Sequence, residues 1–525
     1  MFDLGKLKKF MPLSSKIRAN SHFIIFTGFF VLHLLLLNVN RVEWGDSYRI
    51  LRASEYARDF SYPVDEKRPP LYSVFLALRP LTSLDPVLWG KISMLLVSLL
   101  CFYLFYKITC ILFKGKKELI TFSLLLFALN PVYFYWSLRI YADVFFSSQV
   151  LLLVYLYLKW KDNLKPTRLI VLAFVSVLAI ITRFEGYLLS FSLGLGILFL
   201  KKFPSCKDVK NFLKYLFFIL LLLVPYWLWK NPLNSSYFSE PSGRTYDFTM
   251  VLKYFLSLFF LFGFTLAPAF LFVKLKRALS FFKGYVFLAV FVISELLLIL
   301  IWPAAIPRLF VPILPILIWP LVQSINFYFG EKKSNGILFV LYSLVFLCLY
   351  FCGQLFVPLQ FLIPSLKMVL VVFLLNLIGL VFIYLKNYIA SLTLIVISML
   401  FWTLSVIYFH KDIYSTIRSS VDYANANLEG VIAYNDSSSV SDWYLNESPN
   451  SSNKITGKYF EYGSSDQLSL ENLKEKGYDY LLFTNEHNPF LEVAFEKRPY
   501  LEVVRSFEKE INGTMSFTKV VKVKN

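Results

Sequence analysis

The chain has 525 residues, of which 57% are hydrophobic and 55 are Phe, and its mean hydropathy is +0.60. Apolar runs of 18 residues or more recur, which excludes an ordinary soluble domain and marks a polytopic helical membrane protein. The net charge of +19 is not a nucleic-acid signature: residues 410–525 hold 13 Lys and Arg against 17 Asp and Glu, so the basic excess lies wholly in the apolar part. There it sets topology and faces anionic head groups, and no nucleic-acid partner is expected.

The first apolar run, 21–40, follows Lys6, Lys8, Lys9, Lys16 and Arg18. It is too long for a signal-peptide core and lacks a small-residue cleavage site, so it reads as a retained signal-anchor helix behind a cytoplasmic segment 1–20. Further spans are expected at 86–113, 119–136, 141–160, 168–182, 186–200, 214–230, 250–273, 284–301, 309–329, 336–356, 364–385 and 388–409, about thirteen in all. Basic clusters around Lys114, Lys159, Lys201, Lys274 and Lys332, with Lys386 as a weak last member, fall at every second loop. Basic loops stay cytoplasmic, so the N-terminus is expected inside and residues 410–525 outside. The Pro-bounded stretch 69–82 is too short to span and reads as a helix on the outer surface, within a first external loop 41–85.

At His410 the composition turns polar. Strand-like runs at 431–434, 480–484, 501–507 and 515–523, with a helical run at 468–476 ending in Gly477, predict a small external α/β domain with a mixed sheet. It carries no P-loop and no Gly-rich dinucleotide turn. Asn234, Asn435, Asn446, Asn450 and Asn512 head Asn-x-Ser/Thr tripeptides, all on the side predicted to be external. The five cysteines show no metal spacing, and none lies beyond His410.

Polar residues at the outer ends of the expected spans then fall into one compartment. They are Glu43, Asp46 and Arg49 after the first span, Lys67 and Arg68, Arg139 with Asp143, Arg183 with Glu185, and Arg308. Singly, each Arg reads as a side chain snorkelling to the interface beside a carboxylate. Together, several cations and carboxylates at head-group depth suit an anionic group on a lipid, because Arg and Lys hold a phosphate by charge-assisted hydrogen bonds while a prenyl tail lies in the bilayer.

The segments Gly45-Asp46-Ser47-Tyr48, Lys67-Arg68-Pro69-Pro70-Leu71-Tyr72, Tyr141-Ala142-Asp143, Thr182-Arg183-Phe184-Glu185-Gly186 and Pro307-Arg308-Leu309-Phe310 occur in this order. With the predicted topology they resemble the C-type integral-membrane glycosyltransferases, nearest to the aminoarabinose transferase and protein O-mannosyltransferase groups. That resemblance spans most of residues 20–410. It implies a polyprenyl- or dolichyl-phosphate sugar donor, with Asp46 as general base, Asp143 as second acidic residue, Lys67, Arg68 and Arg308 near the donor phosphate, and Arg183 as a weaker member of that set. Ser47 departs from the second acidic residue usual in the mannosyltransferases, and Trp443-Tyr444 is not followed by the Asp-x-Gly of the oligosaccharyltransferases.

The chemistry is coherent on its own terms: a sugar phosphoester has a good leaving group, so a base, a few cations and a dry pocket suffice. Asp46 as base in a single displacement inverts the anomeric centre. The expected acceptor is a lipid, glycan or protein on the extracytoplasmic side of a plasma or endoplasmic-reticulum membrane, with no cofactor and no obligatory metal. Glu43, Tyr48, Tyr72 and Glu295 are further candidate sugar or acceptor contacts; Glu295, inside a span, either lines the cavity or is protonated against a neighbouring helix. His33 reads as an interhelical hydrogen-bonding group. The competing class is a transporter or flippase of a lipid-linked or anionic solute, but no internal repeat is evident and the charges sit at the edge rather than the midplane. For the external domain, acceptor recruitment and support of the first loop both stand.

Overall fold

The computed structural model describes residues 15–80, 84–200, 203–230, 280–302, 307–330, 366–385, 387–460, 473–486, 498–511 and 513–524, with single positions between them. Nearly all of the expected spans 250–273 and 336–356, and Cys348, Cys352, Asn234 and Asn512, lie outside these. The chain forms two compact units, one holding Lys67–Tyr72 and Lys91–Val406 with the first helix, the other holding Asn38–Glu66, Ser73–Gly90 and Ile407 onward.

In chain order the helices are α1 (Ser15–Leu36), α2 (Gly45–Arg58), α3 (Leu71–Ala77), α4 (Pro86–Leu112), α5 (Lys117–Ala128), α6 (Pro131–Ser137), α7 (Ala142–Trp160), α8 (Pro166–Ile180), α9 (Gly186–Leu198), α10 (Cys206–Trp229), α11 (Val286–Ile301), α12 (Leu314–Gly330), α13 (Leu366–Tyr384), α14 (Tyr388–His410) and α15 (Ser415–Asn427). Among the described residues α4, α7, α10 and the 393–410 stretch of α14 are long and apolar enough to cross a membrane, and the pair α5–α6 makes a fifth if it counts as one span. That pair corrects the single span expected at 119–136, for its halves meet at 55°. The break is local chemistry: the Asn130 side chain accepts from the amides of Val132 and Tyr133 at 3.1 and 2.9 Å, and Pro131 opens the new helix.

Aromatic packing and a few buried hydrogen bonds tie the helices of the first unit. Phe105 stacks between Phe127 and Trp319 at ring centroid distances of 4.5 and 5.3 Å, and Trp319 Nε1 donates to Thr109 Oγ1 at 2.9 Å. His33 joins α1 to α6: its Nδ1 donates to the Phe29 carbonyl, and its Nε2 lies 2.7 Å from Ser137 Oγ. Helices α9 and α11 approach so closely that a Cβ on Gly196 would lie 2.6 Å from Phe287 Cβ.

The second unit holds a five-stranded sheet, β1 (Gly430–Tyr434), β2 (Ile455–Tyr459), β3 (Tyr480–Thr484), β4 (Leu501–Ile511) and β5 (Thr514–Val523), in the order β2-β1-β3-β5-β4. β1 runs parallel to both β2 and β3, while β5 is antiparallel to β3 and β4, which is the mixed sheet expected. Its core comprises Ala433, Phe460, Leu481, Phe483, Leu501 and Val521 with neighbours. β2 and α15 were not foreseen; the stretch 41–85, expected as a loop, is helical over α2, and of the helix expected at 69–82 the structure has α3. Asn435 and Asn446, both heading sequons, are bound into the framework: Asn435 exchanges hydrogen bonds with the Thr484 backbone, and Asn446 does so with that of Gly457.

The Gly196 contact gives a test of the helix packing. Gly196→Leu is expected to cost about 1–3 kcal/mol by overpacking and to lower the thermal unfolding midpoint of the purified protein. Gly28→Leu, where a Cβ meets nothing within 4 Å, should leave it in place.

Candidate functional site

Three turns of the first unit bring its charged residues together. Asp143 sits in the first turn of α7, 1% exposed, where the helix dipole favours a negative charge. Arg183 lies in the tight turn between α8 and α9, and Glu185 is the residue that opens α9. The turn closes because Gly186 has no side chain: a Cβ there would lie 2.4 Å from the Ala179 carbonyl carbon and the Ile180 nitrogen. Gln149 Nε2 on α7 donates to Thr182 Oγ1 at 2.8 Å and fixes the turn against Asp143.

Arg183 bridges two carboxylates. Its Nη1 meets Asp143 Oδ1 at 2.5 Å and its Nη2 binds Glu185. Arg308, in the 3-10 turn Pro307–Phe310, approaches the other Asp143 oxygen at 3.9 Å and stacks over the rings of Tyr141 and Trp136 at 4.5 and 5.5 Å. Ser147 Oγ, bonded to the Val311 carbonyl at 3.0 Å, holds that turn to α7. Glu295 on α11 is 1% exposed and within electrostatic reach of Glu185, Arg183 and Asp143. Its Oε2 is buried without a hydrogen-bond partner among the described residues.

The basic segment joins the same unit through its backbone. Leu71 N–H donates to the Ile181 carbonyl at 2.9 Å, two residues before Arg183, which brings the Lys67–Tyr72 strand of chain beside the turn. Lys230, just past α10, donates from Nζ to the Arg68 carbonyl at 3.4 Å. Sequence reasoning missed Lys230; its only signal was a cation directly after Trp227-Leu228-Trp229 at the end of an apolar run.

Not every expected contact is open. Tyr72 is 2% exposed, with its hydroxyl on Met94 Sδ at 3.0 Å and its ring 5.2 Å from Phe145. Tyr48 is 1% exposed in the second unit, its ring against Trp443 and Tyr444. Both rings, expected as sugar contacts, lie in packing contacts in this structure. Glu43 is also buried, and its amide donates to Tyr48 Oη at 3.1 Å. Asp46 is half-buried in the first turn of α2, in the second unit.

Buried charges in such a cluster are costly unless paired, so its guanidinium and carboxylate groups form a set that tolerates no single deletion. Burial pushes the Glu185 carboxyl up, but Arg183, with Arg308 behind it, outweighs that and holds it below its ordinary 4.5.

The overall fold of the chain is one already known from solved structures. ArnT from Cupriavidus metallidurans bound to undecaprenyl phosphate superposes with a TM-score of 0.65 over 95% of this chain and 98% of that one, at 13% identity. Its apo state gives 0.60 over 93% and 97%, again at 13% identity. The arabinofuranosyltransferase AftD from Mycobacteria matches at 0.50 and 12% identity, covering 98% of this chain and 40% of its own. No family model and no curated protein matches the sequence.

Removing the bridging cation tests the cluster. Arg183→Met is expected to cost about 3–5 kcal/mol at neutral pH, as for breaking a buried pair. In the wild type, a carboxyl depressed on folding lends stability that is complete above its unfolded value and is lost as pH falls through the folded one. The melting temperature should therefore drop from about pH 4.5 downward. In Arg183→Met the trend should reverse, because Glu185 loses the neighbouring cation that outweighs its burial and then gains from protonation; thermal unfolding between pH 7 and 4 reads both.

Proposed function

We propose that this chain is an inverting membrane glycosyltransferase that moves a sugar from a polyprenyl-phosphate carrier to an acceptor on the extracytoplasmic side. The observation that carries the reading is the Asp143–Arg183–Glu185–Arg308 cluster at the ends of apolar helices, with Lys67, Arg68 and Lys230 on the neighbouring segment. The shared fold with a protein crystallised on undecaprenyl phosphate supports it.

The proposed division of labour follows from the pairings. Arg183 bonds to two carboxylates and serves as the scaffold. Arg308 lies 3.9 Å from Asp143 and over two aromatic faces, a stacked guanidinium whose planar fork suits a phosphate. Lys67, Arg68 and Lys230 add positive charge for the leaving group. Asp46 takes the proton from the acceptor hydroxyl, the freed oxygen attacks the anomeric carbon, and the carrier phosphate departs with the bonding electrons into this field. No step as written requires a metal ion. The acceptor is a lipid, glycan or protein.

The test uses purified protein in lipid nanodiscs, a panel of labelled polyprenyl-phosphate sugars and product analysis by NMR. One donor should give a product of inverted configuration, and Asp46→Asn should lower kcat by about 10²–10⁴-fold, the worth of a general base. Arg308→Ala should raise the donor KM by about ten-fold or more, corresponding to roughly 1.5–3 kcal/mol for a charge-assisted bond. Wild-type turnover by Asp46→Asn removes the base; movement of donors across the bilayer with no transfer from any of them removes the enzyme.

A further inference from the structure

In sheets with adjacent parallel strands, the loops leaving the carboxyl ends of those strands are the usual ligand seat. Here β2, β1 and β3 run parallel, and the loops beyond β1 and β3 are already satisfied from within the second unit. Asp436 accepts from the amides of Ser438 and Ser441 at 2.8 Å each and from the Ser438 hydroxyl. Glu486, beyond β3, accepts from the amides of Tyr414 and Thr416 and caps α15.

What the β1 loop presents is the Ser438 carbonyl, and α2 docks on it. A Cβ on Gly45 would lie 2.1 Å from the Ser438 oxygen, so only glycine fits. One turn along α2, Tyr48 is buried against Trp443 and Tyr444 at centroid distances of 6.1 and 5.5 Å. A further turn on, Arg52 Nε reaches Glu447 at 3.3 Å and Arg52 Nη1 reaches Asp65 at 2.9 Å. Residues 45, 48 and 52 form one stripe of a helix, and the whole stripe lies on the segment 438–447. Arg418 covers the outer side, 3.3 Å above the Tyr444 ring.

Asp46 follows Gly45 directly, about 100° round the helix from that stripe. A polar helix of 14 residues is marginal alone in water, and its first turn frays first. Resting on the reading of Asp46 as base, we infer that the C-terminal domain serves the transfer reaction by clamping the Asp46 helix, with Gly45, Tyr48, Trp443 and Tyr444 as positioning residues. A general base displaced by 1 Å loses about 10²-fold in rate. The domain therefore acts on turnover, with little effect on donor affinity.

The experiment compares the full-length wild type with Tyr48→Ala, Tyr48→Phe, Gly45→Ala and Asp46→Asn, by steady-state transfer and by hydrogen exchange of the amides of 46–50. Tyr48→Ala and Gly45→Ala should speed exchange and lower kcat at least ten-fold, with donor KM within two-fold of wild type. Tyr48→Phe, which keeps the ring packing, should restore most of kcat; Asp46→Asn should lose kcat with exchange unchanged. Unaltered exchange in Tyr48→Ala and Gly45→Ala overturns the clamp. Faster exchange with full kcat, beside an inactive Asp46→Asn, overturns the positioning role and leaves Asp46 as base. Full turnover in Asp46→Asn overturns the base and with it the role inferred here.

Discussion

A charge at the end of an apolar helix must find a counter-charge, and Arg183 answers that demand for two carboxylates at once. Asp143 comes from the start of α7, Glu185 from the start of α9, and the single guanidinium between them fixes the relative position of three helix termini. Arg308 lies 3.9 Å from the other Asp143 oxygen and over two aromatic faces. The two arginines thus reach the same carboxylate differently, one as a bridging fork and the other from a stacked position. Lysine in place of either would lack the planar fork that makes bridging and stacking possible.

Much of the fold was legible because its signals are local. Apolar length marked the helices, and β-branched runs marked β1, β3, β4 and β5. β2 was hidden because Ile455-Thr456-Gly457-Lys458-Tyr459 places Gly and Lys inside the strand, where a Cβ on Gly457 would lie 2.9 Å from Leu445 Cδ1. The residues 45–58 read as a loop because they are charged and open on Gly. Their helix is set by a tertiary docking stripe that no local pattern reveals. The kink at Asn130-Pro131 was readable in principle, since an Asn cap followed by Pro is a helix start whatever the hydropathy around it.

The site was legible in its residue types and only partly in its partners. Arg183 and Glu185 are two residues apart and read together, whereas Asp143 lies 40 residues from Arg183 and joined them only through the fold. Tyr48 and Tyr72 were placed at the sugar because aromatic rings near polar loops often stack on ligands; the packing partners that bury them come from distant segments and could not be read locally. Lys230 looked like any interfacial cation until its bond to the Arg68 carbonyl set it beside the basic segment.

The docking of α2 also has a history in time. During synthesis residues 45–58 emerge long before 438–447, the segment on which they rest. Until translation is nearly complete this stretch has no surface to settle on, and the closing of so long a loop comes late in maturation. A ribosome stalled in the middle of the reading frame would thus leave a chain whose segment 45–58 is still unstructured and open to quality-control proteases.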